Sequence, residues 1–175
     1  TALLPIVLFP LTGALDVSTT TASYGHKYIF LYMGGFIIAI AIEKWNLHKR
    51  IALQIIKLIG TNISKIILGF MIATAFLSMW ISNTATSVMM LPIGMSIVSQ
   101  LKNNRNTENN ENSVFGKALM LGIAYSASIG GLATLIGTPP NLVFAGYVEE
   151  VYNLEISFWQ WIKFGLPISI FLLFI

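Results

Sequence analysis

The fold class predicted by this sequence is an all-α integral membrane protein, and three observations predict it. Hydrophobic residues make up 55% of the 175 and charged residues only 10%, with a mean hydropathy of +0.76. A soluble domain carries about 25% charged residues, so too little charge is left to cover a water-facing surface. Residues 66–101 and 118–148 contain no Asp, Glu, Lys or Arg. A membrane helix needs only about 17–25 such residues. Both stretches are therefore too long for one crossing, and each holds residues near its middle that interrupt a helix.

Residues 2–15 are apolar, with Pro5 and Pro10, and read as the end of a spanning helix. Residues 13–27 are rich in Thr and Ser and read as a loop. Residues 28–42 form a second span, with Gly34-Gly35 as a close-packing point. Residues 46–59 differ. Leu47, Ile51, Ile55, Leu58 and Ile59 recur at helical spacing, while Lys49, Arg50, Gln54 and Lys57 fall on the other side. A basic amphipathic helix of this kind lies flat in the headgroup region, or else packs as a short surface helix on the rest of the protein.

Residues 63–100 as one helix would rise more than about 50 Å, against a hydrocarbon core of about 30 Å. The polar run Ser82-Asn83-Thr84 lies near the middle, and Ser and Asn favour caps over helix interiors. Two helices of roughly 16 residues around a polar break predict a re-entrant hairpin over 63–101 with its tip inside the membrane. Residues 102–113 are Asn-rich and charged, without periodicity, and form an aqueous loop. Residues 118–148 contain Gly130-Gly131 and then Gly137-Thr138-Pro139-Pro140-Asn141. Adjacent prolines cannot continue a helix but can start one, so the expectation is helix, break, helix. Residues 149–155 form an acidic loop. The last span covers 158–175 and opens with an interfacial pair, Trp159 and Trp161.

The net charge of +3 lies in loops, where it sets membrane orientation and does not signal nucleic acid. If the hairpin enters and leaves on one side, Lys44, Lys49, Arg50, Lys57, Lys65, Lys102, Arg105 and Lys117 share that side. Lys27 and Lys163 fall opposite, with Asp16, Glu149, Glu150 and Glu155. The positive-inside rule then makes loops 43–65 and 102–117 cytoplasmic, in a plasma or bacterial inner membrane. The chain has no cysteine, which excludes disulfides and thiolate metal sites. Both termini fall inside apolar runs, as in a piece of a longer protein.

Helix breaks at membrane depth are tolerated only when buried in protein or lining a cavity, and they build the midplane sites of secondary transporters. Half-helices ending near Ser82 and Gly137 would aim free carbonyls at the gap, suited to a hard cation. Half-helices starting near Thr84 and Pro139 would aim N–H groups and a positive dipole end at the same place, suited to an anion. Ser82, Asn83, Thr84, Thr138 and Asn141 add side-chain oxygens and amides. Ser78 shares a helix face with Ser82. No ionisable residue lies in either long apolar stretch, which favours sodium over protons as a coupling ion. The blander readings are interhelical hydrogen bonding for Ser82-Asn83-Thr84 and a simple kink for Pro139-Pro140. An intramembrane hydrolase built on Ser82 or Ser78 would lack a base, since His26 and His48 lie outside both stretches. No enzyme activity and no cofactor other than the ion are expected.

The segment from Ser78 to Thr86, with Ser82-Asn83-Thr84 at its centre, resembles the Ser-Asn-Thr motif of the divalent anion/sodium symporter family. The segment from Gly130 to Asn141 resembles that family's following break. The order of elements is similar along essentially the whole chain. The resemblance implies one half of an inverted-repeat transporter. Residues 1–62 would be scaffold-type helices, with the interfacial helix over about 46–59. Residues 63–175 would be a transport-type region of hairpin (63–101), cytoplasmic loop (102–117), broken helix (118–148) and last span (158–175). It implies sodium held by Ser78, Ser82, Asn83 and Gly137, and substrate met by Asn83, Thr84, Thr138 and Pro139. It implies small dianions as substrates (dicarboxylates, tricarboxylates or sulfate), an elevator-like motion, and a homodimer in a lipid bilayer. The chain carries one Ser-Asn-Thr motif and one broken helix where the family has two of each. Sodium-independent anion exchange, a metalloid-anion permease of related architecture and a non-transporting structural fragment are the alternatives.

Overall fold

The computed structural model describes residues 2–59, 62–102 and 109–175, and among these the regular structure is entirely helical. The helices are α1 (Leu4–Thr12), α2 (Val17–Tyr24), α3 (Lys27–Lys44), α4 (Leu47–Ile59), α5 (Ile63–Ser78), α6 (Asn83–Lys102), α7 (Asn109–Gly131), α8 (Pro139–Tyr152) and α9 (Phe158–Leu173).

α1 stops at Gly13, whose φ of 70° is the left-handed conformation that glycine adopts without cost. Residues 13–27, expected as a loop, contain α2. Asp16 caps it, accepting from the Thr19 N–H and from the Ser18 hydroxyl, and these bonds hold its carboxyl down at about 2. Thr20, Thr21 and Ser23 donate their hydroxyls to carbonyls one turn back, so a run of weak helix formers is satisfied within the helix.

The α5–α6 pair forms a helical hairpin. Gly122 of α7 packs on Ile67 and Met71 of α5, and Gly130 packs on Ala75, so α5 and α7 run parallel. Gly116 of α7 faces Val98 of α6, Gly94 of α6 faces Leu119, Met120 and Ile123, and Gly131 faces Asn83, so α6 runs antiparallel to α7. The start of α5, the end of α6 and the start of α7 consequently share one end of the bundle. α4 lies across α5, with Ile56 against Gly69. Its apolar face joins Phe70, Ala73, Leu77, Met90, Leu119 and Ile123 in one core.

Several sequence expectations are corrected here. The first break spans 79–82, one turn before the expected 82–84, because Ser82 caps α6: its hydroxyl accepts from the Ala85 N–H and its carbonyl from the Thr86 N–H. The hairpin legs are unequal, 16 and 20 residues, where two of about 16 were expected. The expected loop 102–117 is helical from Asn109, because Phe115 is buried in the core and Gly116 packs on Val98, which draws the polar segment into α7. The rest of that loop, 103–108, lies outside the described residues. The expected acidic loop 149–155 is helical through Tyr152, and Asn153 closes α8 at a left-handed φ of 54°.

α3 runs antiparallel to α8: Gly35 meets Ile136 and Tyr28 meets Gly146, while Gly34 faces open space. At the far end of this pair Lys27 Nζ lies 2.6 Å from Glu149 and 2.8 Å from Glu155. The ammonium holds the Glu149 carboxyl below its ordinary range. Exposed pairs of this kind add little stability, and this contribution is lost as pH falls through the depressed carboxylate value. Large apolar side chains line the outside, among them Phe30, Met33 and Ile37 of α3 and Phe164 and Phe171 of α9, as a surface facing lipid or further helices requires. By length and composition, 17–44 and 113–131 pass as membrane spans among the described residues.

Candidate functional site

The two breaks meet. Thr134, in the second, donates its hydroxyl to the Met79 carbonyl in the first at 2.5 Å and accepts the Gly137 N–H at 3.1 Å. Ser78, fully buried at the end of α5, lies 2.6 Å from the Ala127 carbonyl and 2.8 Å from the side-chain amide of Asn83. One hydroxyl carries one proton. The Ser78 hydroxyl faces two acceptor oxygens, the Ala127 carbonyl and Asn83 Oδ1, and donates to one of them at a time.

Glycine makes this approach possible. A Cβ at Gly131 would collide with the Asn83 side chain, and one at Gly137 would lie 2.5 Å from the Gly131 carbonyl oxygen. Asn141 pins the second break from within, its amide donating to the carbonyls of Gly131 at 2.9 Å and Thr134 at 2.8 Å. α9 braces it from outside. Trp161 Nε1 donates to Leu132 O at 3.0 Å, and the Ser169 hydroxyl to Ile129 O at 2.9 Å. Trp161, expected as an interfacial anchor beside Trp159, is thus turned onto the break, while Trp159 stays exposed.

The structure therefore gathers Ser78, Asn83 and Gly137 around the end of α7. Ser82 stands at the same tip as the cap of α6. The other expected residues lie on a more open rim. Thr84 is exposed, Thr138 is half-buried and makes no side-chain cap bond, and Pro139 is exposed. Pro139 instead lines an open groove of about 1150 Å³ between α2–α3 and α8, with Tyr32, Phe36, Leu142 and Tyr147.

The expected chemistry of the helix ends also changes. α7 ends at Gly131, not at Gly137, and the carbonyls of 129–132 and of Thr134 are taken by the partners named above or by local turns. At the start of α8, Pro139 and Pro140 have no N–H and the Asn141 N–H is bonded to Thr138 O. First-turn backbone N–H groups without an intrahelical partner remain at the start of α6, where Asn83 and Thr84 begin the helix. Thr134 was missed by sequence reasoning, although its place midway between Gly131 and Gly137 was visible. For Thr134→Val we expect a loss of about 1–3 kcal/mol of stability, read by denaturation, since the Met79 carbonyl loses its donor and the Gly137 N–H keeps only its 3.4 Å bond to the Thr134 carbonyl; Thr134→Ser should restore most of it.

Two breaks held together by hydroxyls, amides and glycines, in stretches free of Asp, Glu, His, Lys and Arg, are an arrangement of the kind found at the midplane of secondary transporters. The chain belongs to the citrate transporter family, which it matches over residues 1–175, and it is accordingly an integral membrane protein. It is 50% identical over 175 residues to the "Sodium-dependent dicarboxylate transporter SdcS" of Staphylococcus aureus strain USA300, and equally to that of strain COL. Each alignment covers 99% of this chain and 34% of the relative, so the chain spans about a third of the length of the proteins it matches. The divalent anion/sodium symporter resemblance read from the motifs agrees with both findings.

Proposed function

We propose that this chain forms part of a sodium-coupled carrier for small dianions, dicarboxylates first, with tricarboxylates and sulfate as further members of the class. The observation that carries this is the junction of the two breaks through Thr134, beside the contacts of Ser78 with Asn83, of Asn83 with Gly131 and of Gly131 with Gly137. The name of the relatives supports dicarboxylate and sodium in particular. In this reading Ser78, Ser82, Asn83 and the Gly137 carbonyl surround one sodium ion with neutral oxygens. The cation then offsets the negative charge of a carboxylate bound alongside, where no lysine or arginine is at hand. Asn83 and Thr84 meet the carboxylate at the start of α6, with Thr138 and Pro139 at the margin of the same site.

The hairpin tip would then lie inside the bilayer, with α5 and α6 re-entering on the side they came from. α5 has 16 residues, about 24 Å, and is shorter than a full crossing. In this reading segments 43–65 and 102–117 share one side of the membrane, and their basic charge makes it the cytoplasmic one. Residues 1–62 would act as scaffold and 63–175 as the moving part, in a homodimer working by an elevator-like motion.

The test is uptake of radiolabelled succinate, citrate and sulfate by the full-length protein that carries this chain, in sodium and in choline. Succinate uptake that rises with sodium is the expected result. Uptake indifferent to sodium would overturn the coupling, and no uptake of any of the three would overturn the substrate class.

A further inference from the structure

The segment 132–138 between α7 and α8 is held from two sides. On one side Thr134 ties it to the first break through the Met79 carbonyl. On another stands α9, whose residues 161, 165 and 169 share one helix face. All three meet the end of α7 or the start of the break. Trp161 Nε1 donates to the Leu132 carbonyl at 3.0 Å, and the Ser169 hydroxyl donates to the Ile129 carbonyl at 2.9 Å. Gly165, between them, comes so close that a Cβ there would lie 2.7 Å from Leu132 O, 3.2 Å from Ala133 O and 3.2 Å from Trp161 Nε1. The space that Gly165 leaves free is what lets the indole reach the carbonyl.

The two bonds are not equivalent. Ile129 O also accepts the Leu132 N–H at 3.2 Å, so it keeps a partner without Ser169. Leu132 O has no partner but Trp161 among the described residues. It is the first carbonyl beyond the end of α7, where the chain leaves the helix, so its bond fixes the direction in which the break sets out. The Trp161 ring also packs against the cluster of Leu135, Leu142 and Ala145 and meets Phe144 edge to face, with 6.1 Å between centroids. One side chain of α9 therefore touches the break and the helix that follows it.

We infer that Trp161 is a positioning residue of the cation site: its indole N–H, by holding the Leu132 carbonyl, keeps the break in the form that offers the Gly137 carbonyl to sodium. The inference rests on the sodium-coupled reading and adds to it a residue on a helix that supplies no ligand. An ion binds only the competent form, so its apparent affinity falls with the fraction of protein in that form. Loss of the indole N–H frees the break on its α9 side and lowers that fraction. The start of α6, where the substrate carboxylate is met, is untouched. Sodium affinity should therefore move, and succinate affinity at saturating sodium should not.

The test uses the purified full-length protein that carries this chain, in sodium or choline chloride. Its readouts are thermal stabilisation by sodium and the sodium dependence of succinate uptake. Two substitutions separate the N–H from the ring. Trp161→Phe keeps an aromatic ring against Phe144 and Leu142 but has no donor. Trp161→His loses the outer ring of the indole but carries an N–H at the matching position of its five-membered ring. Trp161→Phe should raise the half-saturating sodium concentration about tenfold, the worth of one hydrogen bond. Maximal uptake per folded protein and the succinate KM at saturating sodium should not change. Trp161→His should keep the wild-type half-saturation although it melts lower in choline. Gly165→Ala keeps the indole and wedges the bond, and should match Trp161→Phe. Ser169→Ala should match wild type in sodium dependence. Should Trp161→His not fold, Trp161→Gln supplies the donor in its stead; should Gly165→Ala not fold, the pair at 161 decides alone. Half-saturation unchanged in Trp161→Phe, or shifted equally in both variants at 161, overturns the inference and leaves α9 a structural brace. Wild-type protein that sodium neither stabilises nor activates overturns the sodium-coupled reading itself, and that result is visible before any variant is made.

Discussion

Asn83→Ala should weaken sodium activation of uptake by about ten- to a hundredfold while leaving most of the protein folded. Asn83 joins the hairpin tip to the second break: its side-chain amide meets Ser78 at 2.8 Å, and it fills the space that Gly131 leaves open. A carbonyl-type ligand to a bound cation is worth about 1.5–3 kcal/mol, which sets the expected range. Its structural share is smaller, because Ser78 keeps its bond to the Ala127 carbonyl and Thr134 still bridges the breaks. The measurement is the sodium dependence of succinate uptake set against the yield of monodisperse protein in detergent. Equal loss of both would assign Asn83 to interhelical bonding and remove the sodium site from the hairpin tip.

The largest purely structural effect is expected from Gly130→Ala. A Cβ there would run into the backbone of Ala75, so α5 and α7 would have to part where their packing is tightest. Overpacking of a rigid backbone contact costs about 3 kcal/mol and can cost more, since neither helix can yield as a flexible side chain does. Parting these helices would also pull Ser78 from Ala127 and separate the two breaks. Gly34→Ala is the control. Nothing lies within 4 Å of a Cβ at that position on α3, and a helix gains up to about 1 kcal/mol when Gly becomes Ala. Thermal unfolding of the full-length protein in detergent should show the first variant strongly destabilised and the second level with or above wild type. Similar melting of the two would mean that α5 and α7 are not in backbone contact at Gly130 and Ala75.

Both predictions rest on contacts that the chain's local pattern did not announce. Hydropathy found the apolar segments that fold as helices, and the periodicity of 46–59 found α4, whose expected range differs from Leu47–Ile59 by one residue at the start. It failed at α2, where a Thr-rich segment reads as loop by propensity but is satisfied by hydroxyl-to-carbonyl bonds and the Asp16 cap. It failed again at Asn109–Lys117, where one buried phenylalanine outweighs a polar composition. The motif residues Ser78, Asn83 and Gly137 were legible as a site because polar or glycine positions inside charge-free apolar stretches stand out. Thr134 did not stand out, since a lone threonine in a membrane helix usually bonds to its own backbone.

The sequence by itself determined that this chain is helical, that it lives in a membrane, and that two of its apolar stretches must break. Those are consequences of composition and of length measured against the bilayer, and they need no knowledge of which segments touch. Only the tertiary structure decided what each polar group at the breaks is free to do. Partners 49 and 55 residues apart, Ser78 with Ala127 and Thr134 with Met79, are set by the parallel pairing of α5 and α7 and by the turn that follows it. That pairing occupies most of the carbonyls left at the end of α7, while the two prolines supply no N–H at the start of α8. In the proposed reading the hairpin tip and the Gly137 carbonyl are left to offer the ligands, because a hydrogen bond made inside the protein removes a donor or acceptor from any guest.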